Sequence, residues 1–148
     1  MKNLLVIMVM LLLSISASSQ ILKPVKWSYA AKKTSSTEAT IFIKASMEKG
    51  WHIYSQKATE GPVKTTFAFL PEKSFQLIEK VTEPKPIVKF EKAFGTDVSY
   101  FENTVVFQQK IKLVEGEDIT VKGNVEFMIC SERQCLPPET IEFAIPIK

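Results

Sequence analysis

Apolar residues recur at every second position in run after run of this chain, and turn-forming residues interrupt the runs at roughly 8–12-residue intervals. Ile41, Ile43, Ala45 and Met47 fall on one face of the run Thr40 to Met47, while Phe42, Lys44 and Ser46 fall on the other. Val105, Phe107, Ile111 and Leu113 share a register, as do Ile141, Phe143, Ile145 and Ile147. A period of two belongs to strands with one buried face, and no segment carries a helical period over ten residues. Seven to nine short strands in one domain predict an all-β fold, an antiparallel β-sandwich with a closed barrel as the second choice.

The strands follow from the punctuation. Lys23 to Ala30 predicts an edge strand, because Pro24 cannot donate to a ladder. Lys32 to Glu38 is polar and predicts a loop. Glu48-Lys49-Gly50 predicts a turn into the extended piece Trp51 to Ser55, and Gly61-Pro62 breaks the chain again. Thr65 to Leu70 and Phe75 to Val81 predict two more strands. Glu83 to Gly95, with two prolines and mixed charge, predicts an irregular excursion. Val98 to Val114 predicts the longest strand, Glu115 to Asp118 a turn, and Ile119 to Cys130 and Thr140 to Ile147 the closing strands.

Residues 1–19 stand apart. Lys2, the apolar run Leu4 to Leu13 and the small residues Ser14 to Ser19 have the layout of a secretory signal peptide, with cleavage expected after Ser19. The apolar run falls well short of the roughly 20 residues that span a bilayer. No cysteine stands at the cleavage site, which argues against a lipoprotein. The expected mature domain, residues 20–148, is therefore exported, periplasmic or secreted, with no direct membrane insertion after cleavage. The net charge of +3 falls to +2 without Lys2. So small a charge, with Lys and Glu interspersed, gives no reason to expect nucleic acid or an anionic membrane as partner.

The chain has two cysteines, Cys130 and Cys135, at the end of a strand-like run and just before Pro137-Pro138. In an exported protein a disulfide is their default state. Strand parity puts Cys130 opposite Phe127 and Ile129, on the polar side with Glu126 and Met128, which predicts a solvent-reachable sulfur. Closing so short a loop removes little unfolded-state entropy, about 2 kcal/mol. That makes it a weak staple but a serviceable switch, since exchange needs one accessible sulfur and a second to resolve the mixed disulfide. Arg133, between the two, would favour a thiolate. Two other readings stay open: a hairpin-end staple, and a soft Cu(I) site completed by Met128 and His52. His52, the one histidine, lies at a strand start where a surface side chain is expected. No Ser/His/Asp set, phosphate loop or carboxylate pair stands out.

Three stretches, C-x-x-x-x-C-x-P-P-E-T, G-W-H-I-Y-S and F-G-x-D-V-x-Y-F-E, together resemble the N-terminal periplasmic domain of the thiol:disulfide interchange protein DsbD. The resemblance runs from Trp27 to Ile147, and its cysteine–proline motif is the most specific part. It implies an immunoglobulin-like sandwich and a cofactor-free activity of the protein-disulfide reductase type. Reducing equivalents would come from a thioredoxin-like domain served by a membrane electron carrier, and would pass to periplasmic isomerases and cytochrome-maturation thioredoxins. Cys135 would form the mixed disulfide and Cys130 resolve it. A cap loop would map onto Phe90 to Gly95, with Phe94 as the lid and Glu91 as its first acidic position. Phe90, Glu91, Phe94, Gly95, Tyr54 and Met128 are the expected cap and partner-binding residues. The chain departs from the family in three ways. Four residues rather than five separate the cysteines, Lys92 replaces the second cap acid, and the membrane section and thioredoxin domain to which the family domain is fused are not expected after Lys148. A free-standing shuttle, paired with a separate membrane carrier, is the expectation that follows. The alternative is a binding or adhesion module with a purely structural disulfide.

Overall fold

The structure, a computed structural model, describes residues 22–58, 60–114 and 119–148. The expected signal peptide and the turn at Glu115 to Asp118 lie outside the described residues. The described residues form eleven strands: β1 Val25–Lys33, β2 Glu38–Met47, β3 Trp51–Tyr54, β4 Thr66–Phe69, β5 Phe75–Thr82, β6 Ile87–Glu91, β7 Thr96–Glu102, β8 Thr104–Leu113, β9 Ile119–Phe127, β10 Ile129–Ser131 and β11 Glu139–Ile147. All pairings are antiparallel, in three ladders ordered β1-β2-β8-β5, β10-β3-β7-β6 and β11-β9-β4. The fold is an all-β antiparallel sandwich, as the alternation predicts, and is immunoglobulin-like, as the resemblance implies.

The first ladder forms one layer and the other two supply the layer facing it. Ile41, Ile43, Phe107 and Ile111 of the first meet Val121, Val125, Phe127, Phe143 and Ile145 of the third in one buried cluster, which Ile53, Phe101 and Ile129 of the second extend. Trp27 closes one flank, its ring 5.1 Å from that of Phe127 and 6.3 Å from that of Phe107. Gly123 is needed where three chains converge: a methyl group there would meet the Ala68 carbonyl oxygen and the Phe143 ring.

Several expectations change. The loop expected at Lys32 to Glu38 shrinks, because β1 runs on through Lys33 and β2 begins at Glu38. The excursion at Glu83 to Gly95 contains a strand, β6. Pro84 and Pro86 precede its first ladder residue, and β6 pairs with β7 alone, so neither proline removes a needed donor. The run Val98 to Val114 is two strands, broken at Asn103, where a positive φ of 59° turns the chain from one layer to the other. The run Ile119 to Cys130 likewise changes ladders at Met128 while keeping its parity, so Phe127 and Ile129 both enter the main core. The strand count therefore exceeds the seven to nine expected.

Candidate functional site

β10 and the segment after it form the closed end of a long hairpin. Cys130 and Cys135 are bridge partners across it and are joined by a disulfide, with Ser131-Glu132-Arg133-Gln134 as the tip. The tip is held by its own backbone: Ser131 N–H donates to the Gln134 carbonyl at 2.8 Å, and the Ser131 hydroxyl oxygen accepts from Arg133 and Gln134 N–H, each at 3.3 Å. Leu136 N–H donates to the Ile129 carbonyl at 3.0 Å, which ties the exit strand back below the disulfide. Pro137 and Pro138 then lead into β11.

The two sulfurs have opposite surroundings. Cys135 is exposed, whereas Cys130 is fully buried. Parity did direct Cys130 away from the main core. The expectation that this side would leave it open to solvent fails, because a second, smaller cluster covers it. Tyr54, Val98 and Tyr100 surround Cys130, and Ala58, Phe94 and Met128 pack against them. Burial thus falls on one sulfur and leaves its partner open.

Phe94 is the outer piece of that cover. It sits in the four-residue turn between β6 and β7, its ring edge-on to Tyr54 at 6.1 Å. The turn is shaped by Phe94 and Gly95 N–H, which donate to the Glu91 carbonyl at 3.2 and 2.9 Å, and by the positive φ of 68° at Gly95. Gly61 lies against the same ring: a methyl group added there would come within 2.9 Å of the Phe94 Cβ and Cγ. Phe90 is not part of that cover. It is 57% exposed on β6, on the strand face opposite Glu91, and borders an adjacent open cleft of about 930 Å³. Lys49, Lys89 and Arg133 stand on that cleft's rim among Glu91, Glu102 and Glu132.

A polar chain runs through the small cluster. Tyr54 hydroxyl donates to Glu91 Oε2 at 3.3 Å, and His52 Nε2 lies 3.1 Å from the same hydroxyl. Burial, then the charge and hydrogen bond of Glu91, push the Tyr54 hydroxyl far above its ordinary acidity range, so it remains a donor. Tyr100 is raised by burial and by Glu102 and Glu91. His52 is lowered from 6.5 because burial outweighs the attraction of Glu91 and Glu102, with Lys89 adding to the lowering.

Of the residues singled out in the sequence, Cys130, Cys135, Tyr54, Phe94, Glu91, Gly95 and Met128 come together here, while Phe90 stands at the margin. Three others were missed. Val98 and Tyr100 share a face, but reading Val98 to Val114 as one strand hid their allegiance. His52 is half-buried, with its ring 4.8 Å from that of Tyr100, rather than at the surface. Its shared parity with Tyr54 was the available signal. Among the described residues, no group of three or more His, Cys, Asp or Glu is placed to hold a metal ion. No helix among them is long and apolar enough to cross a membrane.

Comparisons with known proteins bear on the family and the fold. The family described as thiol:disulfide interchange protein DsbD, N-terminal, matches residues 18–146. No curated protein sequence matches. Among solved structures, the N-terminal periplasmic domain of ScsB from Proteus mirabilis aligns at a TM-score of 0.61 and 16% identity, over 85% of this chain and 47% of that one. This chain therefore spans about half the length of that relative. The reduced DsbD N-terminal domain of Neisseria meningitidis aligns at 0.51 and 15% identity, over 80% of this chain and 83% of that one. The same species' complex between the DsbD and PilB N-terminal domains gives 0.54 and 15%, covering 84% and 87%.

Proposed function

Because the chain belongs to the DsbD N-terminal family of thiol:disulfide interchange domains, we propose that it relays reducing equivalents outside the cytoplasm through Cys130 and Cys135. In the reduced form, the Cys135 thiolate attacks a partner's disulfide, forms a mixed disulfide and releases one partner thiolate. Cys130 then loses its proton and attacks Cys135 Sγ. The Cys130–Cys135 bond forms, the mixed disulfide breaks, and the partner leaves as a dithiol carrying two electrons. A thioredoxin-like donor, served by a membrane carrier, returns the pair to the dithiol. The acceptors are exported disulfide-bearing proteins of the thioredoxin type.

The observation that carries this reading is the asymmetry of the pair. Only Cys135 can be met by an incoming sulfur, and Cys130 is held beneath aromatic rings until that has happened. The complex between DsbD and PilB N-terminal domains supports partner docking in this family. Mixing each single-cysteine variant with a thioredoxin-like probe protein tests the roles. Cys130→Ser should accumulate a mixed disulfide and Cys135→Ser should accumulate none; equal trapping by both would remove the assignment.

The position of the bridge at a hairpin tip favours a second reading, a structural staple in a binding module. The reduction potential separates the two. A value between about −120 and −270 mV fits exchange, and one below about −300 mV fits a staple.

A further inference from the structure

The exchange reading leaves one step without chemistry. Cys130 must lose a proton to resolve the mixed disulfide, yet it is completely buried and no solvent reaches it. A buried thiol in apolar surroundings resists ionisation, so a base is needed close by.

His52 is the residue directly across the ladder from Cys130: the two are register partners between β3 and β10. Opposed residues in an antiparallel pair project from the same face, with Cβ atoms about 5 Å apart. The hydrogen bonds also decide which ring nitrogen is free. Tyr54 donates its hydroxyl proton to Glu91, so it can only accept from His52, and Nε2 must carry the hydrogen. In the neutral ring Nδ1 is then the bare, basic nitrogen.

We infer that His52 is the base that takes the Cys130 thiol proton during resolution of the mixed disulfide, with Tyr54 and Glu91 fixing its tautomer. This rests on the exchange function proposed above and adds a residue to it. The proton passes from Cys130 Sγ to His52 Nδ1, the Cys130 electron pair forms the bond to Cys135 Sγ, and the electrons of the broken mixed disulfide leave with the partner thiolate. The imidazolium then returns its proton to water or to that thiolate. All but one of the charged or titratable groups that act on the ring fit this task. Glu102 is its register partner on β7, Glu91 lies one hydrogen bond beyond Tyr54, Tyr100 packs against it with its ring tilted by 51°, and only Lys89 opposes the cation. Burial keeps the ring neutral near neutral pH, which is the form a base requires.

A small aryl disulfide, dithiobis(nitrobenzoate), separates the two steps in a stopped-flow experiment on the reduced protein. Attack by Cys135 releases one coloured thiolate, and attack by Cys130 on the resulting mixed disulfide releases the second. His52→Gln should leave the first phase unchanged and slow the second about 100-fold near neutral pH. The wild-type second phase should fall as pH drops below the range of His52, whereas that of the variant should climb toward the ordinary thiol range near about 8.5. Tyr54→Phe, which releases the tautomer but keeps the ring, provides a second variant and should slow the same phase roughly tenfold. Two wild-type phases with a second phase unaltered in rate and pH profile by either variant would overturn the role of His52 alone. A wild-type protein with no second phase would remove the exchange reading itself.

Discussion

One four-stranded ladder, β10-β3-β7-β6, serves two regions of the molecule, and its two faces are built differently. Ile53, Phe101 and Ile129 point into the main core, where they meet aliphatic and aromatic side chains from both layers. Their strand neighbours His52, Tyr54, Tyr100 and Cys130 point the other way, into a pocket with rings, a sulfur and a chain of hydrogen bonds. The first face is covered by a whole sheet, while the second is covered by one turn carrying Phe94. The difference teaches that burial alone does not identify a core. A cysteine can be as fully enclosed as an isoleucine one residue away and still lie beneath a single turn rather than a sheet.

Substitutions on the two faces should therefore have different consequences. The largest stability effect belongs to the main core. Phe107→Ala should cost about 3–5 kcal/mol in urea unfolding, while the folded protein's disulfide reacts with thiols at the wild-type rate; a change in reactivity would mean that the two faces are coupled. Phe94→Ala should do the reverse. It removes an aromatic pair worth about 1 kcal/mol, so reduction of the disulfide by dithiothreitol should quicken roughly fivefold, with little change in the urea midpoint. Gly61→Ala, whose methyl group would press on the Phe94 ring, should move the rate in the same direction; an unchanged rate in both would mean that Phe94 does not gate the bridge.

The smallest effect is a pH dependence. His52 has a folded value below its unfolded 6.5, so the unfolded chain binds the proton more readily. Stability contributed by this site is intact above about 6.5 and is lost as pH falls through that value toward the lower folded one. The difference between wild-type and His52→Gln unfolding curves should show this loss, and a flat difference would place the ring in water.

Much of this was legible in residue order. Alternation marked the buried face of β2, β8 and β11, and parity alone turned Cys130 away from Phe127 and Ile129. The resemblance carried by three short stretches pointed to the cysteine pair and to Phe94. What escaped has a common cause. At Asn103 and Met128 the chain changes ladders without interrupting its apolar pattern, so the local signal is the same on both sides of the break. The prolines before β6 predict an irregular stretch, although proline is equally compatible with a strand at a sheet edge, where β6 lies. The enclosure of Cys130 depends on Tyr54 and Phe94, which are far away in sequence, and no window around the cysteine contains them.

The hairpin tip has a consequence for traffic. Ser131 to Gln134 is braced by its own hydrogen bonds, and β10 is laddered to β3 by backbone bonds in which the sulfurs take no part. An exchange protein whose frame does not depend on its sulfur bond would present nearly the same outline to a partner in its charged and spent forms. The partner therefore cannot select the useful form by shape, and the spent form competes for every docking event. Throughput is then governed by the ratio of the two populations rather than by their sum, and tight binding would slow the relay instead of helping it.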